Sequence, residues 1–185
     1  IYEIPTSEPG VITLTMDWSN IDPDLTPPPS YRVMFADYSA ELSGTANTIN
    51  NDFETGDYRL YAWNRADNIS MDGTKASADY PAGQLGWLFA CATDIAIKAG
   101  ESHTFRGPME QQVRQLTLVI ETTGGMVDRV ESISGTLSGV AGSYDIGVGT
   151  HDSPTDVELS FSKITSGTDA GKWSATVRLL GVTGT

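Results

Sequence analysis

The stretch Ile12-Thr13-Leu14-Thr15-Met16-Asp17-Trp18 alternates apolar and polar side chains with a period of two. Successive side chains of a β-strand point to opposite faces of a sheet, so this pattern is typical of a half-buried strand. Clean helical periodicity is scarce, and the sequence therefore predicts an all-β fold. Related strand patterns return at residues 31–35, 57–64, 116–120, 133–139, 157–161 and 173–179.

Turn-forming residues separate these patterns. Gly124–Gly125 predicts a hairpin turn that joins Leu116–Glu121 to Val130–Leu137, and Ser166–Gly171 predicts a second hairpin between the next two strands. Many short strands with frequent turns are typical of an antiparallel β-sandwich. We therefore expect sandwiches built from hairpins rather than a sheet with helical crossovers.

The length of 185 residues fits one large domain or two small ones, since domains average about 150 residues. A break near Arg106-Gly107-Pro108, followed by a segment poor in apolar residues, favours two. We place the domains at residues 1–108 and 109–185. The second contains four clear strand patterns, which is thin for a sandwich. We therefore expect it to be incomplete in this chain or to receive a strand from elsewhere.

Charge excludes one broad class of function. The chain has 11 Lys and Arg against 24 Asp and Glu, for a net charge of −13. Binding to nucleic acid depends on Lys and Arg that neutralise phosphates, so we expect no nucleic-acid partner. The same imbalance argues against direct binding to an anionic membrane surface. The sole cysteine, Cys91, forms no internal disulfide, and the fold must depend on its core.

No arrangement of residues predicts catalysis. The sequence has no G-x-S-x-G motif, and its two histidines, His103 and His151, stand too far apart to form a ligand pair by spacing. The acidic residues fall mostly in predicted loops, as on an ordinary solvated surface. We therefore predict no catalytic, cofactor-binding or metal-binding residues, no cofactor, and a protein that is not an enzyme.

One alternative is an adhesin domain stabilised by calcium. Residues 68–79 place Asn68, Ser70, Asp72, Gly73 and Asp79 at the ligand and glycine positions of an EF-hand loop. Two carboxylates bind Ca²⁺ weakly, and an ordinary turn explains the same residues. The hypothesis is open at this point.

Another alternative is a surface module that binds carbohydrate. Five aromatic side chains cluster in the sequence and would offer a stacking face for sugars. Core packing explains such residues at least as well. The five are Tyr58, Tyr61, Trp63, Trp87 and Phe89.

Three stretches together carry a resemblance to a known family. They are Ile12–Asn20 with the Pro-rich loop and Tyr31–Phe35 after it, then Thr55–Asn64, and then Val130–Tyr144. In this order they resemble the fimbrillin-related surface proteins of Bacteroidales, most closely the fimbrial anchor and accessory subunits. The resemblance covers about residues 10–185.

The resemblance implies two tandem transthyretin-like, Greek-key β-sandwich domains. It also implies export through the periplasm as a lipoprotein and a place in fimbriae at the outer membrane. The protein would contact the membrane only through a lipid on an N-terminal cysteine. The sequence given does not contain that cysteine. The expected partners are other fimbrial subunits, which would bind through donor-strand β-augmentation. Host or bacterial surface ligands are expected as further partners. We expect a non-catalytic pilus subunit or anchor that contributes to adhesion. The acceptor groove is expected at Ile12–Trp18 or Leu116–Ile120, each of which opens a predicted domain.

Overall fold

A computed structural model describes residues 10–125 and 129–183 of the chain. Within these residues the chain forms thirteen β-strands, and a short 3₁₀ turn covers Tyr80–Ala82. None of the described residues lies in an α-helix. The predicted all-β class is confirmed. The strands are β1 (Val11–Asn20), β2 (Tyr31–Phe35), β3 (Tyr38–Leu42), β4 (Ala46–Asn50), β5 (Gly56–Trp63), β6 (Ile69–Asp72), β7 (Lys75–Ala78), β8 (Phe89–Ile97), β9 (His103–Gln111), β10 (Arg114–Ile120), β11 (Ile133–Asp145), β12 (Thr150–Lys163) and β13 (Trp173–Leu179).

The chain divides into two compact units, and the division does not follow chain order. The described residues up to Arg65, together with Leu88–Gln112, form unit 1. Ala66–Trp87, together with the described residues from Val113 onward, form unit 2. The β6–β7 hairpin therefore belongs with the later strands of the chain, although it lies in sequence between two strands of unit 1.

Unit 1 is a seven-stranded sheet in the order β3-β2-β5-β8-β9-β1-β4. Its strands pair antiparallel except β1 and β9, which run parallel from Ile12↔His103 to Asp17↔Pro108. β8 and β9 pair only at two positions, so the sheet bends there. Strands on the two sides of this bend share one core.

The core of unit 1 follows the alternation that predicted β1. Ile12, Leu14 and Met16 are almost completely buried, whereas the threonines between them are partly exposed. At the end of the strand, the Trp18 ring contacts Tyr31 and Phe89 edge-on, at centroid distances of 6.0 and 5.9 Å. Burial of such large apolar side chains provides most of the free energy that holds the layers together.

Unit 2 is a six-stranded sheet in the order β10-β13-β12-β11-β7-β6. β12 and β13 pair only at Ser162↔Ser174 and Lys163↔Trp173, so this sheet also folds back on itself. Side chains from both parts then meet in one cluster. Val140, Val157 and Leu179 form its buried centre, and Leu116, Leu137, Val177 and Tyr80 pack around them.

The domain boundary predicted between residues 108 and 109 falls inside β9. Gly107 is buried against the Met16 side chain, where a Cβ would stand 2.7 Å from Met16 Cε, so this glycine allows close packing and does not form a linker. Pro108 lies where the β1–β9 register shifts, which is a position at which a strand tolerates proline. The compact units instead change at residues 65/66, 87/88 and 112/113.

One of the two predicted hairpins is wrong. β10 pairs with β13 along its whole length, and β11 pairs with β12, so the strands on either side of Gly124–Gly125 are not partners. The hairpin predicted at Ser166–Gly171 is confirmed, since β12 and β13 pair next to it. A glycine turn marks where a strand stops, but the apolar face decides which strand it pairs with.

Candidate functional site

Of the two places predicted for an acceptor groove, the one at Ile12–Trp18 is closed. β1 is hydrogen-bonded to β9 on one side and to β4 on the other. Its apolar side chains Ile12, Leu14 and Met16 are at most 1% exposed. Along Ile12–Met16 both edges of the strand are paired and its apolar side chains are covered, so the expectation for this segment is wrong.

The second place, Leu116–Ile120, is an edge strand. β10 ends the sheet of unit 2 and pairs with β13 from Arg114↔Leu179 to Ile120↔Trp173, and among the described residues no strand pairs with its other edge. Leu116, Leu118 and Ile120 point to one face and are half-buried. Leu116 packs against the core cluster. A long edge strand with an apolar face is suited to accept another strand.

A second open edge lies on β11. β7 pairs with β11 only at Ser143–Asp145, and residues 181–183 bond to it near Gly139 and Ala141. Toward Ile133, no strand in the described part of the chain pairs with that edge. Ile133 and Leu137 are half-buried on the inward face, and a Cβ at Gly135 would meet only the Phe161 ring, at 3.9 Å. This edge was not anticipated from the sequence.

The two open edges belong to opposite layers of unit 2. The corner between the layers joins β13 to β12, and Leu116 of one layer and Leu137 of the other pack against the same buried cluster. We use the name β10–β11 cleft for these two edges together with the apolar side chains beside them, which are Leu116, Leu118, Ile120, Ile133 and Leu137. Its lining is apolar and half-buried, which is what an inserted strand would cover.

The five aromatic residues of the carbohydrate hypothesis do not form an exposed stacking face. Trp63 is 7% exposed and Phe89 is 2% exposed, and both belong to the core of unit 1. Trp87 is part of unit 2, where the Arg178 guanidinium lies 4.2 Å from its ring centroid. The buried members pack the core and are not available to a sugar.

Residues 68–79 form a β-hairpin and not a metal-binding loop. β6 and β7 pair from Ile69↔Ala78 to Asp72↔Lys75, and Gly73, with φ of 57°, occupies the first position of the two-residue turn. The Asn68 side chain donates to the Gln84 carbonyl, and Asp79 caps the 3₁₀ turn at Ala82. The proposed ligands therefore extend along two strands and do not surround a point.

The histidines and Cys91 are occupied by structural contacts. His103 stacks on Phe105 and accepts the Lys98 N–H at 3.0 Å, while His151 Nε2 lies 3.1 Å from the Leu180 carbonyl oxygen. Burial raises the pKa of the Cys91 thiol to about 12, so its reactive thiolate is suppressed. Among the described residues, no three His, Cys, Asp or Glu side chains are grouped as metal ligands.

Two arginines form ion pairs with aspartates at the surface, and Asp17 is the only one of the four side chains that is mostly covered. Arg59 bonds Asp94 at 2.7 Å, and Arg106 bonds Asp17 at 2.5 Å. The pKa of Asp17 is lowered mainly by the Ser19 backbone N–H that donates to it, with Arg106 as a further cause. Because the arginine of each pair is well exposed to solvent, these ion pairs contribute little to stability.

No helix in the described part of the chain is both long and apolar enough to span a bilayer.

Comparison with known proteins identifies related folds but no sequence family. The sequence matches no protein-family model and no curated protein. One similar structure is a candidate adhesin from Bacteroides ovatus, with a TM-score of 0.72 and 18% identity, covering 95% of this chain and 68% of that one.

Two further structures extend the comparison. The fimbrial anchor protein Mfa2 from Porphyromonas gingivalis matches with a TM-score of 0.64 and 11% identity, over 96% of this chain and 74% of that one. A candidate polysaccharide-binding protein from Bacteroides thetaiotaomicron matches with a TM-score of 0.57 and 10% identity, over 91% and 71%. The chain therefore has a fimbrial, adhesin-like fold, as the resemblance implied. At these identities the similarity extends to fold alone.

Proposed function

We propose that this protein is a non-catalytic fimbrial subunit or anchor at the cell surface, which assembles with sister subunits by β-strand addition and contributes to adhesion. The observation that carries the proposal is the β10–β11 cleft, where no strand in the described part of the chain pairs with the outer edge of β10 or of the first half of β11, and the side chains beside both edges are apolar and half-buried. The shared fold with a fimbrial anchor and with candidate adhesins supports it.

The chemistry of strand addition fits this cleft. An inserted strand would exchange main-chain hydrogen bonds with the free edges of β10 and β11, and its alternate side chains would cover Leu118 and Ile133. The partner segment is therefore an extended one with apolar residues at every second position. Affinity would come from the backbone and specificity from the inward side chains.

The cellular setting of the proposal follows the resemblance in the sequence. The protein would be exported through the periplasm and held at the outer membrane by an N-terminal lipid, or released from it into the fimbrial shaft. Its acidic surface, with a net charge of −13, is suited to a solvated extracellular position. No step of this role requires catalysis, a cofactor or a metal ion.

A pair of substitutions on neighbouring residues of β10 tests the proposal. Leu118→Glu places a charge on the apolar side of the cleft, where an incoming strand would bury it at a high free-energy cost. Val119→Glu makes a similar change on the opposite face, where Val119 is already 49% exposed. Both variants are made in the full-length protein and expressed in the organism that produces it.

We expect Leu118→Glu to be lost from the assembled surface fraction and Val119→Glu to be retained there. Thermal unfolding of both purified variants separates failed assembly from failed folding. Equal incorporation of two folded variants would contradict strand addition at this cleft.

A further inference from the structure

A shallow, open pocket of about 430 Å³ lies in unit 2, on the strands β7, β11 and β12. Its polar lining comprises Lys75, Ser77, Tyr80, Ser143, Ser153 and Thr155. The volume lies in the range of roughly 300–1,000 Å³ that small-molecule sites occupy. Ala78, Pro81 and Pro154 line it as well, so the lining is mixed and suits a ligand that has both hydrogen-bonding groups and an apolar face.

Three serine hydroxyls from three neighbouring strands form the floor of this pocket. Ser77 and Ser143 are cross-strand partners, and the Ser143 hydroxyl donates to Ser153 Oγ at 3.1 Å. Ser143 itself is only 2% exposed. Ser143 therefore positions the exposed Ser153 and does not itself reach a ligand. A hydroxyl offers one donor and two acceptor positions, so Ser153, which accepts from Ser143, keeps its own O–H for a bound molecule.

A cation stands at the edge of the serine row. Lys75 lies two residues before Ser77 on β7 and therefore on the same face of the strand. Its cross-strand neighbours are Asp72 and Asp145, but in the described part of the chain neither forms an ion pair with it. Asp145 instead accepts from the Thr74 hydroxyl and the Gly147 N–H. The Lys75 ammonium can therefore donate to oxygen atoms of a ligand.

The backbone is shaped to make the pocket. Ser153 has φ of 57°, a conformation uncommon for residues other than glycine, within the long strand β12. The carbonyl oxygen of Ser153 then approaches Gly142 so closely that a Cβ there would stand 2.5 Å from it. The Asp152 carboxylate holds this conformation by accepting the Ser153 N–H at 2.6 Å.

We propose that this pocket binds one neutral sugar residue of a glycan. Ring hydroxyls would bond the serine row and the Lys75 ammonium, and the apolar face of the ring would pack on Tyr80, Pro81 and Pro154. The net charge of −13 disfavours an anionic ligand. The residues are different from those of the β10–β11 cleft, so the site does not depend on strand addition.

Ligand-observed NMR on the whole chain tests this site. Saturation transfer is measured with glucose, galactose, mannose and N-acetylglucosamine, each titrated at millimolar concentrations. The variants are Lys75→Gln and Ser153→Ala, which change exposed side chains of the pocket. Lys163→Gln is the matched control, since Lys163 is an exposed lysine of β12 outside the pocket.

At least one of the four sugars should bind saturably to the unmodified chain. Each pocket variant should weaken that binding about fivefold or more, as expected for loss of a hydrogen bond worth about 1 kcal/mol, whereas the control should leave it unchanged. The proposal is overturned if none of the four sugars binds, or if binding is equal in all three variants.

Discussion

The Tyr80 hydroxyl accepts a hydrogen bond from the backbone N–H of Leu180, which lies 100 residues later in the chain, at 3.1 Å. The same hydroxyl donates to the Ala141 carbonyl at 2.8 Å. Tyr80 therefore joins the segment 66–87 to the last strands of unit 2. This contact helps to explain why that segment belongs to unit 2 although it interrupts the strands of unit 1 in sequence.

Replacing Tyr80 by phenylalanine should lower the free energy of unfolding of unit 2 by about 1–3 kcal/mol, because the buried Leu180 N–H would lose its partner. Denaturation by urea measures the loss. Tyr58→Phe is the control, since that hydroxyl bonds the Glu54 carbonyl at an exposed site where water can replace it. Similar losses in both variants would show that the Tyr80 hydroxyl has no special role.

Gly142→Ala should destabilise unit 2 by about 1–3 kcal/mol, because the new Cβ meets a backbone oxygen that cannot move without bending β12. Gly135→Ala on the same strand has room for its Cβ and should leave stability nearly unchanged. Thermal unfolding of the two variants compares them. If Gly142→Ala is as stable as Gly135→Ala, the close approach of Ser153 to Gly142 is not part of the fold.

Ionisation of the Cys91 thiol should lower the free energy of unfolding of unit 1 as the pH becomes alkaline. Burial raises its folded-state pKa to about 12 from an ordinary 9.0, so the folded chain holds the proton more tightly than the unfolded chain. This contribution is fully present below pH 9.0 and is lost progressively as the pH rises toward about 12. Denaturant midpoints across this window measure it, and Cys91→Ala, which lacks the titrating group, should show a flatter decline. Equal pH dependence of the two chains would contradict the burial of the thiol.

Asn64→Ala should lower the stability of unit 1 by about 1–3 kcal/mol. The Asn64 side-chain oxygen accepts the buried Phe89 N–H at 2.7 Å, and removal of the amide leaves that donor unsatisfied. Asn20→Ala removes an amide from an exposed position at the end of β1 and serves as the control. Chemical unfolding should separate the two variants, and an Asn64→Ala chain as stable as the control would refute the assignment.

Strand alternation in the sequence was enough to locate several elements. The segments predicted at 31–35 and 173–179 coincide with β2 and β13, and the pattern at Ile12–Trp18 identifies the buried face of β1. Each of these strands has one buried and one more exposed face, which is the condition under which alternation is visible. β8 was missed because Phe89, Ala90 and Cys91 are buried in succession and show no alternation.

The local sequence pattern did not predict which strands pair or where the candidate binding surfaces lie. β9 was missed because Gly107 and Pro108 suggest a break, although Gly107 lies within the strand and packs closely against the Met16 side chain. The apolar face of Leu116–Ile120 was predicted. The free edge of β10 was not, because it follows from the pairing of β13 with β10 and of β11 with β12. The serine row depends on the pairing of β7 with β11, and hydroxyls so far apart in sequence give no signal before that register is known.

The most direct test of strand addition is an immunoblot of the native surface fraction with an antibody against this chain, comparing unboiled and boiled samples. A strand bonded along its whole length leaves only when the domain unfolds, so such an assembly should resist SDS until it is heated. We predict a ladder in the unboiled sample that boiling reduces to one band. A single band of monomer mass in both samples would contradict the account.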